Sequence, residues 1–403
     1  MSMQDGLQPP ECFPLGEMTA EVFLRDYWQK KPCLLRAVWP GIETCLPIDA
    51  DELAGIAADE TADSRLISGT FDKRNWHVDY GPFDSQDYDK LGESDWTLLV
   101  QDVEKHYPPL KNWLSSFSFL PSWRLDDIMI SFAAAGGSVG PHTDQYDVFL
   151  FQTSGKRRWY ISDSYNPKLL EHEEIKVLQE FSEDQSWDLE PGDLLYLPPN
   201  IAHFGVALEP CLSYSVGLRA PARAELFADL AEWFAREDHQ GGRYSDPDLG
   251  NQSTFAADPG EVNSEAIGRV QQLLNTTFPG NNAPEENPVL ADWFCQFICA
   301  YRLNGTPAPA ETSLSEIELH GLLADGSRLY RNPWSRFCWR NTGNSVCLYA
   351  TGMKVDCEPT LAKLISKPGD ELDLQAAGIT FTPDVGRVLT ALYNHGHLLF
   401  ESD

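Results

Sequence analysis

Up to about residue 220, apolar positions fall in short alternating or continuous runs. Examples are DDIMISFAAA (126–135), DVFLFQ (147–152), RRWYIS (157–162), GDLLYLPP (192–199) and SYSVGLRAP (213–221). Strands this short, set close together between Gly and Pro turns, predict a β-sandwich or barrel. Two helical patterns precede them: TAEVFLRDYWQ (19–29), opening on a Thr N-cap, and DADELAGIAAD (49–59), opening on Asp. The period changes after Pro221. In ARAELFADLAEWFARE (222–237), Leu226, Leu230 and Phe234 share one helical face. A polar Gly/Asp/Asn/Pro stretch (240–262) separates this helix from two more, EAIGRVQQLLNTTF and NPVLADWFCQFICAYRL. Three helices around so long a loop make a poor core, so the segment is expected to pack on a second subunit. From Ala310 onward, LSEIELHGLLADG and DVGRVLTALYNHGHLLFE read as helices flanking strands within 327–357, a mix suited to a small α+β winged-helix domain.

Composition narrows the function classes. Charged residues are 23% and hydrophobic residues 42% of 403, ordinary values for a globular chain. No apolar run of membrane-spanning length is present, and the N-terminus lacks the basic and apolar regions of a secretory signal. A cytoplasmic protein is expected. Sixty-one acidic against 30 basic residues leave a net charge of −31, which argues against direct nucleic-acid binding and favours a basic protein partner. Nine cysteines without a CxxC pair read as free, buried thiols.

The chemistry-bearing candidates are histidines. His-x-Asp occurs as His77-Val-Asp79 and His142-Thr-Asp144. His142 follows the Gly-rich turn AAAGGSVGP and is expected to open a continuous strand HTDQYDVFLFQ, where positions i and i+2 face the same side. His203, after the Pro-Gly turn and apolar strand of LEPGDLLYLPPN, is the candidate third ligand. Two His and one carboxylate on one face are the donor set of non-haem Fe(II) oxygenases. His77 has no such downstream partner and reads as a partly buried neighbour of Trp76. His172, with Glu173 and Glu174, reads as part of a solvated acidic face. Lys156, Arg157 and Arg158 form a cationic run in which alternation pairs Arg157 with Trp159 and Arg158 with Tyr160 on opposite faces. Asp127, Met129 and Ser131 share a face that suits a barrel interior, and Asp126 faces the other way.

Taken together, PHTDQYDVF, GKRRW, LEPGDLLYLPPNIAHFG and SYSVGLRAP resemble the JmjC-type cupin oxygenases, and most closely the bacterial ribosomal oxygenases, the arginine hydroxylases of ribosomal protein L sixteen. The similarity continues upstream through DELAGIAADETADSRLIS, GPFDS and LGESDWTLLVQDVEKH, and downstream through RYSDPD. The resemblance implies a jelly roll (double-stranded β-helix) over 1–221, a helical dimerisation segment over 222–309 and a winged-helix-like domain over 310–403. It implies Fe(II) at His142, Asp144 and His203, with 2-oxoglutarate and O₂ as cosubstrates. It selects Arg157 to hold the distal carboxylate of 2-oxoglutarate, and Asp127, Tyr146 and Ser215 to hold a substrate arginine hydroxylated at its β-carbon. It also implies a homodimer. A histidyl hydroxylase or lysyl demethylase of the same chemistry, or a metal-binding cupin adaptor without turnover, are the alternatives.

Overall fold

The computed structural model describes residues 9–171, 174–236, 244–245, 264–277, 288–301, 305, 307–342, 345–367, 369 and 371–400. Contacts group the chain into two compact units, one formed by 1–220 with 302–403 and the other by 221–301.

The first unit begins with strands β1 (Cys33–Leu35), β2 (Ser64–Ser68), β3 (His77–Tyr80), β4 (Trp96–Val100), β5 (Leu125–Ala133), β6 (His142–Thr143), β7 (Val148–Ser154), β8 (Arg157–Ser162), β9 (Gln185–Leu189), β10 (Leu194–Leu197), β11 (Ala202–Ala207) and β12 (Cys211–Leu218). They form an antiparallel eight-stranded sheet, β1-β10-β7-β12-β5-β4-β2-β3, and a four-stranded sheet, β6-β11-β8-β9. The jelly roll expected from the sequence is this pair of sheets.

Strand alternation sorts the chain into two chemistries. On β12, Leu212, Tyr214, Val216 and Leu218 enter a large apolar core with Phe149 and Phe151 of β7 and Ile128 and Ile130 of β5. That core also holds Phe23 and Leu53 from the helices Ala20–Asp26 and Ala50–Ala57. Both helices start as expected. Thr19 accepts from Val22 N, and Asp49 with Glu52 forms a capping box. The opposite face of β12 carries Ser213, Ser215 and Gly217, paired with Gln152, Leu150 and Val148 of β7. Val148 and Leu150 pack with Trp159, Ile161 and Leu189 of the small sheet. The interior between the sheets is therefore apolar towards Leu189 and polar towards Ser213 and Ser215.

One expectation is corrected. HTDQYDVFLFQ is not a single strand: His142–Thr143 belongs to the four-stranded sheet, whereas Val148–Ser154 belongs to the eight-stranded sheet. The chain crosses between sheets at Asp144–Asp147. Asp147 is fully buried there and accepts from Tyr196 Oη at 2.6 Å, Gln29 Nε2 at 2.9 Å and Arg124 Nη2 at 3.2 Å. A buried carboxylate with three donors fixes the crossing, and those donors come from distant segments that periodicity does not see. The apolar runs also left β1, β2, β3, β4 and β9 unpredicted.

The C-terminal part of the same unit contains β13 (Leu329–Arg331), β14 (Phe337–Asn341), β15 (Val346–Ala350), β16 (Met353–Cys357) and β17 (Leu398–Phe400), with helices Glu316–Ala324, Pro359–Ser366 and Pro383–Asn394. Strands β14-β15-β16 form one sheet and β13-β17 another. Leu319, Leu348, Leu361, Val388 and Leu389 build its core. In the second unit, helices Arg223–Arg236, Ser264–Thr277 and Pro288–Ala300 are described. Trp293 Nε1 donates to Asp229 at 2.8 Å and Tyr301 Oη to Glu225 at 2.8 Å, while Phe227 stays 65% exposed. All nine cysteines are free thiols, five of them buried. Among the described residues no helix is long and apolar enough to cross a membrane.

Candidate active site

His142 and His203 are direct cross-strand partners in the antiparallel pair β6–β11, and their rings lie 4.2 Å apart. Cross-strand pairing thus joins two residues far apart in the chain. Each ring is aimed by its own backbone: His142 Nδ1 meets Gly140 O at 2.9 Å, and His203 Nδ1 meets Ile201 O at 3.0 Å. A carbonyl only accepts, so both Nδ1 atoms carry a proton, which leaves Nε2 as the atom each ring can offer a metal. Asp144 lies just past β6, with Oδ2 3.6 Å from His203 Nε2. Its carbonyl accepts from Asn200 N at 2.8 Å, which ties it to the turn leading into β11. One ligand atom from each of the three residues falls within 4.8 Å of the others, and among the described residues no other such group occurs. Burial, and then the neighbouring His142, push the His203 imidazolium down to about 4, so the ring is neutral at physiological pH.

Arg157 starts β8 on the face that points between the sheets and is only 3% exposed. Its guanidinium makes long bonds of 3.4 Å to Ser131 Oγ and to Gly205 O, stands 5.0 Å from the Trp159 ring centre, and has no partner at Nε. A side chain at Gly205 would put its Cβ 2.8 Å from Arg157 Nε and 2.8 Å from the Trp159 ring, so only glycine leaves the guanidinium its place. No carboxylate among the described residues pairs with it. Lys156 and Arg158, by contrast, pair outward with Glu190 and Asp188. A desolvated, uncompensated guanidinium between the sheets fits a carboxylate ligand. Two imidazole nitrogens and a carboxylate with open positions fit Fe(II).

The remaining candidates gather on β5, on β12 and at the sheet crossing. Ser131 and Met129 pair with Ser213 and Ser215, so the Asp127 face of β5 looks onto the small residues of β12. At Gly217 a Cβ would come within 3.0 Å of Asp127 Oδ1. Tyr146 lies between the two acids: burial first, then the charges of Asp144 and Asp127, hold its phenol well above the ordinary range. Burial and then Glu104, Asp126 and Asp102 push the Asp127 carboxyl up to about 8. Asp126, on the other face, is taken by Arg219 and Arg336. His77 is not a partly buried tryptophan neighbour; it sits exposed on edge strand β3, 3.2 Å from Asp79. His172 and Glu173 lie outside the described residues. Sequence reasoning missed Glu104, Asp102 and Lys105, because the helix Val103–His106 and its N-cap Asp102 are too short to show a pattern.

The comparisons with known proteins agree with this geometry. A JmjC domain model matches residues 112–226, and a ROXA-like winged-helix model matches residues 285–399. The ribosomal protein uL16 3-hydroxylase of Escherichia coli is 36% identical over 391 residues, covering 94% of this chain and 97% of that protein. A probable ribosomal oxygenase of Haemophilus influenzae is 38% identical over 236 residues, 56% of each chain. The X-ray structure of E. coli ycfD superposes with TM-score 0.80 at 34% identity, covering 96% of this chain and 99% of that one. The E. coli ribosomal oxygenase YcfD in complex with cobalt and 2-oxoglutarate gives TM-score 0.77 at 33% identity, covering 96% and 99%. This chain belongs to the bacterial ribosomal oxygenases, JmjC-type 2-oxoglutarate-dependent enzymes that carry a ROXA-like winged helix.

Proposed function

We propose that this enzyme hydroxylates the β-carbon of an arginine on ribosomal protein uL16, with Fe(II) held by His142, Asp144 and His203. The observation that carries the reading is the buried Arg157 guanidinium, which lies between the sheets and pairs with no carboxylate among the described residues. When bound, the metal and 2-oxoglutarate supply the oxidation, consuming O₂ and releasing succinate and CO₂ as one C–H becomes C–OH. The chain's own residues position and desolvate. His142 and His203 present their Nε2 lone pairs, fixed by the carbonyls of Gly140 and Ile201. Arg157 receives the distal carboxylate of 2-oxoglutarate in its planar fork. Asp127 accepts from the substrate guanidinium, with Tyr146 and Ser215 as neutral partners, so that the side chain is held in one orientation. A chain of net charge −31 attracts a basic ribosomal protein.

The working division is 1–221 for the oxygenase, 222–309 for a homodimerising helical segment and 310–403 for the winged helix, in a cytoplasmic protein. The exposed Phe227 and half-exposed Leu290 and Ile267 of the helical segment support the dimer. The test is mass spectrometry of uL16 incubated with enzyme, Fe(II), 2-oxoglutarate and oxygen. A mass gain of one oxygen on arginine is expected. Oxygen added to histidine, or loss of methyl groups from lysine, would favour a sister activity, and binding without succinate formation would favour an adaptor.

A further inference from the structure

The residues around Asp127 are held from outside the barrel. Asp126 Oδ1 accepts from Arg219 Nε at 3.1 Å and from Arg336 Nη2 at 2.5 Å. Ile128 N donates to Glu104 Oε2 at 2.8 Å, and Asp127 Oδ2 accepts from Asp102 N at 3.4 Å. Asp102 and Glu104 belong to one short turn, Asp102–His106, which is itself clasped. Lys105 pairs with Asp102, its ammonium lies 5.0 Å from the Trp334 ring centre, and His106 meets the same ring edge-on at 5.9 Å. Trp334 and Arg336 stand in the loop between β13 and β14. That loop is firmly built: Asn332 Nδ2 donates to Gly396 O at 2.8 Å, Asn332 Oδ1 accepts from Trp334 N at 2.9 Å, and Ser335 Oγ meets His397 Nδ1 at 3.0 Å. One winged-helix loop thus touches both the strand and the turn that set Asp127.

We propose that Arg336 and Trp334 of the winged-helix domain are positioning residues for the substrate-arginine pocket, holding Asp126 and the Asp102–His106 turn so that Asp127 gives up its proton more readily when the guanidinium arrives. The proposal rests on the reading of Asp127 as the substrate acceptor. Its electrostatic basis is a count of neighbours. Asp127 faces Glu104, Asp102 and Lys105 from the turn, Asp126 from its own strand and Tyr146 from the sheet crossing. Arg219 and Arg336 together neutralise Asp126. Without Arg336 the like charge at Asp126 weighs more heavily, and ionising Asp127 becomes harder. A protonated carboxyl is a poor partner for a guanidinium, which only donates.

The experiment compares full-length wild type, Arg336→Gln and Arg336→Lys. Gln keeps a donor and loses the charge, whereas Lys keeps the charge. Arg336→Gln is expected to raise KM for uL16 about tenfold at pH 7, the consequence of about one further pK unit on Asp127. The rise should exceed any change in KM for 2-oxoglutarate and narrow towards pH 9, and Arg336→Lys should recover most of it. In parallel, the ¹³C carboxyl resonance of Asp127, assigned with Asp127→Asn, should titrate at higher pH in Arg336→Gln than in wild type. Equal Asp127 midpoints, or equal rises in both KM values without recovery by Lys, overturn the proposal. A shifted midpoint in an enzyme whose wild type leaves uL16 untouched supports the brace and sinks the substrate reading instead. If Arg336→Gln does not fold, Trp334→Leu, which loosens the turn from the other side, must move the same two readouts.

Discussion

Replacing Arg157 by methionine isolates the 2-oxoglutarate anchor, because methionine keeps an unbranched side chain of similar reach and removes the charge. In the structure the guanidinium is 3% exposed and pairs with no carboxylate among the described residues; its hydrogen bonds are only two long ones of 3.4 Å. Water cannot compete there, so an arriving carboxylate recovers most of a charge-assisted hydrogen bond, about 1.5–3 kcal/mol. That corresponds to roughly a 10- to 150-fold rise in the apparent 2-oxoglutarate requirement. The same burial gives a second, opposite expectation. An uncompensated buried charge costs stability, so without cosubstrate Arg157→Met should melt no lower than wild type. Arg157→Lys should fall between the two in KM, keeping charge but losing the fork. The assay is succinate formation against 2-oxoglutarate concentration, with thermal melts in the presence and absence of cosubstrate. A KM for 2-oxoglutarate within twofold of wild type would refute the anchor and pass the role to Arg158 or Lys156, although both are paired outward.

Other outcomes are equally specific. His142→Ala or His203→Ala should abolish metal-dependent turnover while circular dichroism stays close to wild type, because the apolar core lies on the opposite face of the large sheet; His77→Ala should remain active. Asp127→Ala should weaken uL16 turnover by about 2–5 kcal/mol, and a substrate with the target arginine replaced by lysine should be hydroxylated poorly. The pH dependence has a definite sign. Asp127 is raised to about 8, so below that pH its carboxyl must release a proton when a guanidinium binds; affinity for uL16 should rise with pH up to about 8 and then level off, with proton release in calorimetry. A flat profile would remove Asp127 from the pocket. The folded-state side follows the same linkage: the raised Asp127 carboxyl lowers stability as pH climbs from the carboxylate range through 8, and Asp127→Asn should flatten that decline. Light scattering should give a dimer at micromolar concentration, and Phe227→Glu should shift it towards monomer.

Much of the site was legible along the chain because its geometry is local. His142 and Asp144 are two residues apart, Arg157 and Trp159 alternate with Arg158 and Tyr160, and the Gly-rich and Pro-Gly turns mark where strands begin. Resemblance to a family then singled out one arginine of three and carried the winged helix and the cosubstrate. Pairing between strands lay beyond that reach. That His203 sits directly opposite His142 follows from the antiparallel register of β6 and β11, which depends on the whole fold closing. The break in HTDQYDVFLFQ depends on Asp147 finding donors on Tyr196, Gln29 and Arg124. The setting of Asp127 depends on Arg336 and Trp334, more than two hundred residues away. Periodicity reports which face of an element is apolar, so the sequence alone determined the most apolar strands, their faces and the donor types. Charges meet through space, and only the tertiary structure decided which of them are desolvated, which are paired, and which are left waiting for a ligand.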